Sequence, residues 1–194
     1  MIITKDLSIF IERRPILERI SFSVEKGQMV GIIGPNGSGK STLLKIIANI
    51  LKKDSGAIVI DDREISTYKR KELAKKISYV PQNIMIDFDF TAQEIVTMGR
   101  HIYQSRFSPT QESDINIVKQ AMQMTNTWVF KNKSVHHLSG GQRQLVLIAK
   151  ALAQDTPILL LDEPISALDI NFQLDVLMLL QALATQGRTI LIVL

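Results

Sequence analysis

Short apolar runs of strand length recur along the chain at Met29-Val30-Gly31-Ile32-Ile33, Ala57-Ile58-Val59-Ile60, Ile77-Ser78-Tyr79-Val80, Ile158 to Leu161 and Thr189 to Leu194. Several are apolar throughout rather than alternating, the pattern of a parallel sheet covered on both faces. Between them the spacing turns helical over Ser41 to Leu51, Gln173 to Ala184 and Gly141 to Ala153, where Leu145, Ile148, Ala149 and Leu152 share one face. Strand and helix in alternation predict an α/β core. From about Asn83 to Gln144 the pattern differs. Thr91-Ala92-Gln93-Glu94 has the spacing of a capping box, and Ile115, Val118, Ala121 and Met122 form one helical face after Ser108-Pro109. This stretch reads as a helical insertion.

Composition narrows the picture without changing it. The 194 residues, 45% hydrophobic and 22% charged, are enough for one globular core. There is no cysteine, which removes disulfide frameworks, cysteine zinc sites and thiol catalysis. The net charge of +4 is too small to choose between anionic lipid and nucleic acid as a partner. Mean hydropathy is high at +0.11. Yet the longest apolar runs, Ile158 to Leu161 and Ile190 to Leu194, fall far short of the roughly 18 residues a spanning helix needs. Met1-Ile2-Ile3-Thr4-Lys5-Asp6 lacks a basic leader before an apolar core, so no secretory signal is read and a cytoplasmic location is expected.

Three motifs carry the chemistry. Gly34-Pro35-Asn36-Gly37-Ser38-Gly39-Lys40-Ser41, followed by Thr42, fits the phosphate-binding loop and lies between an apolar strand and a helix. Its glycines let successive N–H groups curl around a phosphate chain at the positive end of the helix. Lys40 supplies a charge for the β- and γ-phosphates, and the Ser41 hydroxyl can ligate Mg²⁺. Second, the strand Ile158 to Leu161 ends in the adjacent carboxylates Asp162 and Glu163. Asp162 would hold Mg²⁺ and Glu163 would orient or deprotonate a water. Third, Leu138-Ser139-Gly140-Gly141-Gln142 stands at the start of a helix as a second anion site, which a single nucleotide in one phosphate loop does not require.

With these pieces in order, together with Gln82 in Val80-Pro81-Gln82 and the segment Ser166-Ala167-Leu168-Asp169, the chain resembles the nucleotide-binding subunit of ATP-binding cassette (ABC) transporters over nearly its whole length. The resemblance implies one cassette over 1–194 with a P-loop NTPase (RecA-like) α/β core. That core has a mainly parallel sheet and an N-terminal antiparallel β portion, over about 1–82 and 145–194, with a helical subdomain inserted over about 83–144. It further implies ATP and Mg²⁺ as ligands, with Glu163, Gln82 and Lys40 as catalytic groups. Ser41, Gln82 and Asp162 would face the metal. Partners implied are a second copy arranged head to tail, transmembrane permease subunits and, indirectly, a substrate-binding protein, with no nucleic acid. In that dimer each ATP lies between the phosphate loop of one copy and Ser139, Gly140, Gly141 and Gln142 of the other, with Asp169 along the seam. The subunit would sit peripherally on the cytoplasmic side of the membrane.

Val96-Thr97-Met98-Gly99-Arg100, Ala151-Leu152-Ala153-Gln154 and Leu168-Asp169-Ile170 with Gln173 look like the subunits that serve siderophore, haem or cobalamin uptake. Two features depart from the family. The adenine-stacking aromatic, counted along an early strand from Leu7 to Leu17, falls on Ile11, with Phe10 beside it. The sequence stops at Leu194, before the histidine that contacts the γ-phosphate in relatives, so it is either a fragment of a longer product or a shortened module with impaired hydrolysis. Two rivals stand beside the importer reading: a non-transport ATPase of the same fold, and a degenerate nucleotide-binding module. Against the first, no heptad run of coiled-coil length separates Lys40 from Leu138. His136 and His137 read as linker rather than metal ligands, Trp128 and Phe130 as packing, and Lys69-Arg70-Lys71 with Lys75-Lys76 as a solvated helix face.

Overall fold

The computed structural model describes residues 1–82, 88–104 and 111–194. The Ser108-Pro109 helix signal and the start of the insertion at Asn83 lie outside them. Strands β1 (Ile2–Ile11) and β2 (Arg14–Val24) open the chain, followed by β3 (Met29–Ile32), α1 (Lys40–Ile47), β4 (Ser55–Ile60), β5 (Arg63–Glu64), α2 (Arg70–Ala74) and β6 (Ile77–Val80). Helices α3 (Ala92–Thr97), α4 (Glu112–Met124) and α5 (Gly140–Ala153) come next. Then β7 (Ile158–Asp162), α6 (Ile170–Thr185) and β8 (Thr189–Val193) close the chain.

Two four-stranded sheets result. One is antiparallel in the order β2-β1-β4-β5, and the other is parallel in the order β3-β8-β7-β6. The apolar runs over β7 and β8 have a direct cause: every residue of both strands is buried. Because side chains alternate between faces, Leu159, Leu161, Ile190 and Ile192 join the core formed with α3 to α6. Ile158, Leu160, Leu191 and Val193 join a second core with α1 and the antiparallel sheet. The parallel sheet is thus a septum between two hydrophobic layers.

The segment from Leu7 to Leu17 is not one strand. It folds back at Glu12 and Arg13, both at positive φ (49° and 63°), as a type I′ hairpin turn requires. Ala57 to Ile60 belongs to the antiparallel sheet, with alternating burial, rather than among the parallel strands. The first helix stops sooner than the apolar spacing implies, because Asn49 turns left-handed at φ 56°. Ile115, grouped by spacing with the inner face of α4, is 49% exposed, whereas Val118, Ala121 and Met122 are buried.

The helical segment shares its core with α5 and approaches that helix most closely at one joint. The turn Met98–Arg100 lies so close to the end of α5 that a Cβ on Gly99 would come within 2.4 Å of the Lys150 carbonyl oxygen. Beside it Arg100 donates from Nε to Asp114 Oδ1 at 2.9 Å and from Nη1 to the Ala153 carbonyl at 2.8 Å. Both partners of this ion pair are buried, and a cation at the carbonyl end of α5 complements the helix dipole. Gln154 then donates to the carbonyls of Ala74 and Ile77, tying the same end of α5 to the start of β6.

Candidate nucleotide site

The site forms where the parallel strands end. β3 delivers the chain into the Gly34 to Gly39 loop, and α1 leaves it at Lys40. Gly39, the residue that caps α1, sits at φ 89° and makes no side-chain cap hydrogen bond. A Cβ there would lie 2.8 Å from Leu17 Cδ2 and 2.9 Å from the Ile16 carbonyl oxygen, so both the left-handed backbone and the β2 hairpin demand glycine. The first N–H groups of α1 therefore point outward without a protein side chain covering them.

Asn36, Gly37, Gly39, Lys40, Ser41 and Thr42 line a cleft of about 390 Å³ with Gln82 and Glu163, and Ile11 and Ile16 form its apolar wall. Lys40 Nζ donates to the Gly34 carbonyl at 2.7 Å and to that of Pro35 at 3.2 Å. Ser38 closes the loop through its N–H to the Pro35 carbonyl at 3.2 Å. Ser41 Oγ donates to Asp162 Oδ1 at 2.7 Å, joining the loop to the end of β7.

Strand β6 and the residues just after it supply two more contacts to the carboxylate pair. Tyr79 donates its hydroxyl to Asp162 Oδ2 at 3.1 Å, and Gln82 donates Nε2 to Glu163 Oε2 at 2.5 Å. Asp162 is 2% exposed, so each of its oxygens needs the donor it has. Burial raises the Tyr79 pKa, helped by the neighbouring Asp162 charge and the hydrogen bond to it, which keeps the phenol a donor. Glu163 adopts φ 46°. Its N–H reaches the Val193 carbonyl at 3.2 Å, and its own carbonyl accepts from Ser166 Oγ at 3.0 Å. A left-handed conformation costs a side-chain-bearing residue about 1–2 kcal/mol, and these bonds fix it where β7 ends.

Ser139, Gly140, Gly141, Gln142 and Asp169 do not line this cleft. Ser139 caps α5: its Oγ accepts from the Gln142 N–H at 3.2 Å and its N–H donates to Gln142 Oε1 at 3.2 Å. Asp169 caps α6 through Oδ1 and the Phe172 N–H. Sequence reasoning missed Ile16 and Tyr79. Ile16 lies on the returning strand of the hairpin that carries Ile11, where Ile11 itself pairs with Arg14, and Tyr79 stands three residues before Gln82. No aromatic ring lines the cleft among the described residues; Phe10 pairs with Pro15 at the hairpin end and is half exposed. His136 Nε2 lies 3.2 Å from the Phe88 carbonyl oxygen, and no cluster of three metal-binding side chains occurs among the described residues. Nor is any described helix long and apolar enough to cross a membrane.

The ABC transporter family pattern matches residues 17–166. The iron(3+)-hydroxamate import ATP-binding protein FhuC of Bacillus subtilis strain 168 is 41% identical over 191 residues, which cover 98% of this chain and 71% of that protein. The petrobactin import ATP-binding protein FpuD of Bacillus anthracis is 39% identical over 192 residues, 98% of this chain and 70% of that one. Among solved structures, a dimeric ATP-binding cassette in a post-hydrolysis state with ADP and Pi superposes with a TM-score of 0.86 at 31% identity, covering all of this chain and 87% of that one. The folded arrangement of phosphate loop, carboxylate pair and capped α5 accords with these matches, and the chain belongs to the ABC transporter family as an ATP-binding, ATP-hydrolysing cassette.

Proposed function

We propose that this chain powers an importer of an iron–siderophore or related metal chelate, as a peripheral subunit on the cytoplasmic face of the membrane. The carrying observation is the convergence of Lys40, Ser41, Gln82, Asp162 and Glu163 at one cleft, with Ser139 to Gln142 left outside it. The cargo class is supported by the hydroxamate and petrobactin importers among the relatives.

In this reading the phosphates of ATP lie on Gly34, Pro35, Asn36, Gly37, Ser38 and Gly39 and the open N–H groups of α1. Lys40 exchanges the carbonyls of Gly34 and Pro35 for β- and γ-phosphate oxygens, Ser41 and Thr42 follow in the first turn, and the adenine rests on Ile11 and Ile16. The Ser41 hydroxyl, the Asp162 carboxylate and the Gln82 amide form an oxygen-rich donor set that suits Mg²⁺. When bound, the cation neutralises charge on the β- and γ-oxygens. Glu163 accepts the proton of the attacking water as the water oxygen bonds to the γ-phosphorus and the bond to the ADP oxygen breaks. Gln82, held on Glu163 Oε2, orients that carboxylate.

The second anion site serves another copy. Ser139, Gly140, Gly141 and Gln142 close on the partner's γ-phosphate in a head-to-tail homodimer, with Asp169 at the seam. That a similar cassette is a dimer with ADP and Pi bound supports the pairing of two copies. The inserted unit, about 83–144 within a single 1–194 cassette, meets the permease, and a substrate-binding protein acts through that permease.

Calorimetric titration tests the nucleotide reading: saturable heat with ATP and Mg²⁺ is expected, and its absence for folded protein overturns it. Reconstitution with the partner permease and ferric hydroxamate tests the cargo, with ATP-driven uptake as the expected result.

A further inference from the structure

Strand β6 lies beside β7 in parallel register, with Tyr79 opposite Leu160 and Val80 opposite Leu161. With the strands in this register, Tyr79 on β6 and Gln82 just after it reach Asp162 at the end of β7 and Glu163 just after it. Gln82 takes Glu163, and Tyr79 takes Asp162. Asp162 is nearly inaccessible, and its two oxygens are divided between two donors from different elements: Oδ1 to Ser41 on α1 and Oδ2 to Tyr79 on β6. A carboxylate held on one oxygen alone can turn about its terminal torsion, which is broad and two-fold. One held on both oxygens presents a single edge.

We propose that Tyr79 is a positioning residue for the divalent-cation end of the nucleotide site: its hydroxyl fixes Asp162 Oδ2 so that Oδ1 and the Ser41 hydroxyl face the cation together. The inference rests on the reading of the cleft given above and assigns Tyr79 no contact with nucleotide or water. A hydrogen bond to the outer oxygen of a ligating carboxylate has a known scale of effect: its loss lowers metal affinity by about ten- to a hundredfold.

The test is Tyr79→Phe, which keeps the ring and removes only the oxygen. Binding of a fluorescent ATP analogue is titrated against Mg²⁺, and separately in EDTA. The expected result is unchanged affinity in EDTA with the half-saturating Mg²⁺ concentration raised at least about tenfold. An unchanged Mg²⁺ dependence in a folded variant overturns the proposal, even if the melting temperature has dropped, because a packing role alone moves stability and not metal affinity. If wild-type protein binds the analogue with no Mg²⁺ dependence at all, the reading of the cleft fails and the proposal falls with it. Tyr79→Met provides a second donor-free side chain and the same expected shift. Failure of both variants to fold overturns the proposal in favour of a purely structural tyrosine.

Discussion

Two helix N-termini in this cassette are assigned to phosphate, and they are built in opposite ways. α1 starts at a left-handed glycine with no side-chain cap, so its first N–H groups remain open. α5 starts with a closed capping box in which Ser139 and Gln142 satisfy one another. A glycine cap costs only about a few tenths of a kcal/mol relative to Ser or Asp, tolerable at α1, where the proposed ligand arrives at a cleft the same chain completes. At α5 the proposed ligand is carried by another copy, so the helix must hold its first turn in the ligand's absence. The cap by itself is not the signature, since α3 begins with the same closed box between Thr91 and Glu94; the two adjacent glycines behind the α5 cap are what set that terminus apart.

The largest effect should come from Glu163→Gln, which removes the proton acceptor: turnover falls by about 10²–10⁴-fold while ATP still binds. With hydrolysis blocked, size exclusion in ATP should show a lasting dimer, and a strictly monomeric variant would break the link between α5 and a partner's nucleotide. Next is Lys40→Ala. The loss of charge-assisted bonds to phosphate, about 3 kcal/mol, should weaken ATP binding roughly a hundredfold by calorimetry. Third, Gly99→Ala forces a methyl onto the Lys150 carbonyl and should destabilise the fold by about 1–3 kcal/mol in chemical denaturation. Smallest is Ser139→Ala: opening the capping box should cost about 1 kcal/mol, a fall of about 2–4 °C in melting temperature. ATP affinity of the isolated chain should not change. A loss of affinity in that variant would mean that α5 serves its own chain's nucleotide, and the contrast between the termini would collapse.

Much of this was legible in the sequence for a physical reason. β7 and β8 are buried on both sides, so their runs are apolar without interruption, and the loop, carboxylate and capping motifs are local in sequence. What was not legible depends on pairing. The turn at Glu12 and Arg13 carries two charged residues at positive φ where Asn-Gly or Gly would have announced it, so Leu7 to Leu17 read as one strand and Ile16 was not seen facing the site. The membership of β4 in the antiparallel sheet, the Tyr79 bond to Asp162 and the buried Arg100–Asp114 pair require register or tertiary contact. The segments resembling chelate importers gain a physical meaning as well. Gly99 and Arg100 pack on the Lys150 to Gln154 end of α5, and Gln173 donates to the carbonyls of Ile165 and Leu168. Such segments maintain internal joints, whatever partner type they accompany.

The joint at Gly99 has a mechanical consequence. A fourteen-residue helix is about 21 Å long, and α5 carries Ser139 at one end and the Gly99–Arg100 contact at the other. At the far end the Gly99 backbone lies against the Lys150 carbonyl and the Gln154 N–H, and the Arg100 guanidinium bonds the Ala153 carbonyl. α5 therefore connects the Met98–Arg100 turn to Ser139 as one continuous helix, packed against α3 and α4 on the way.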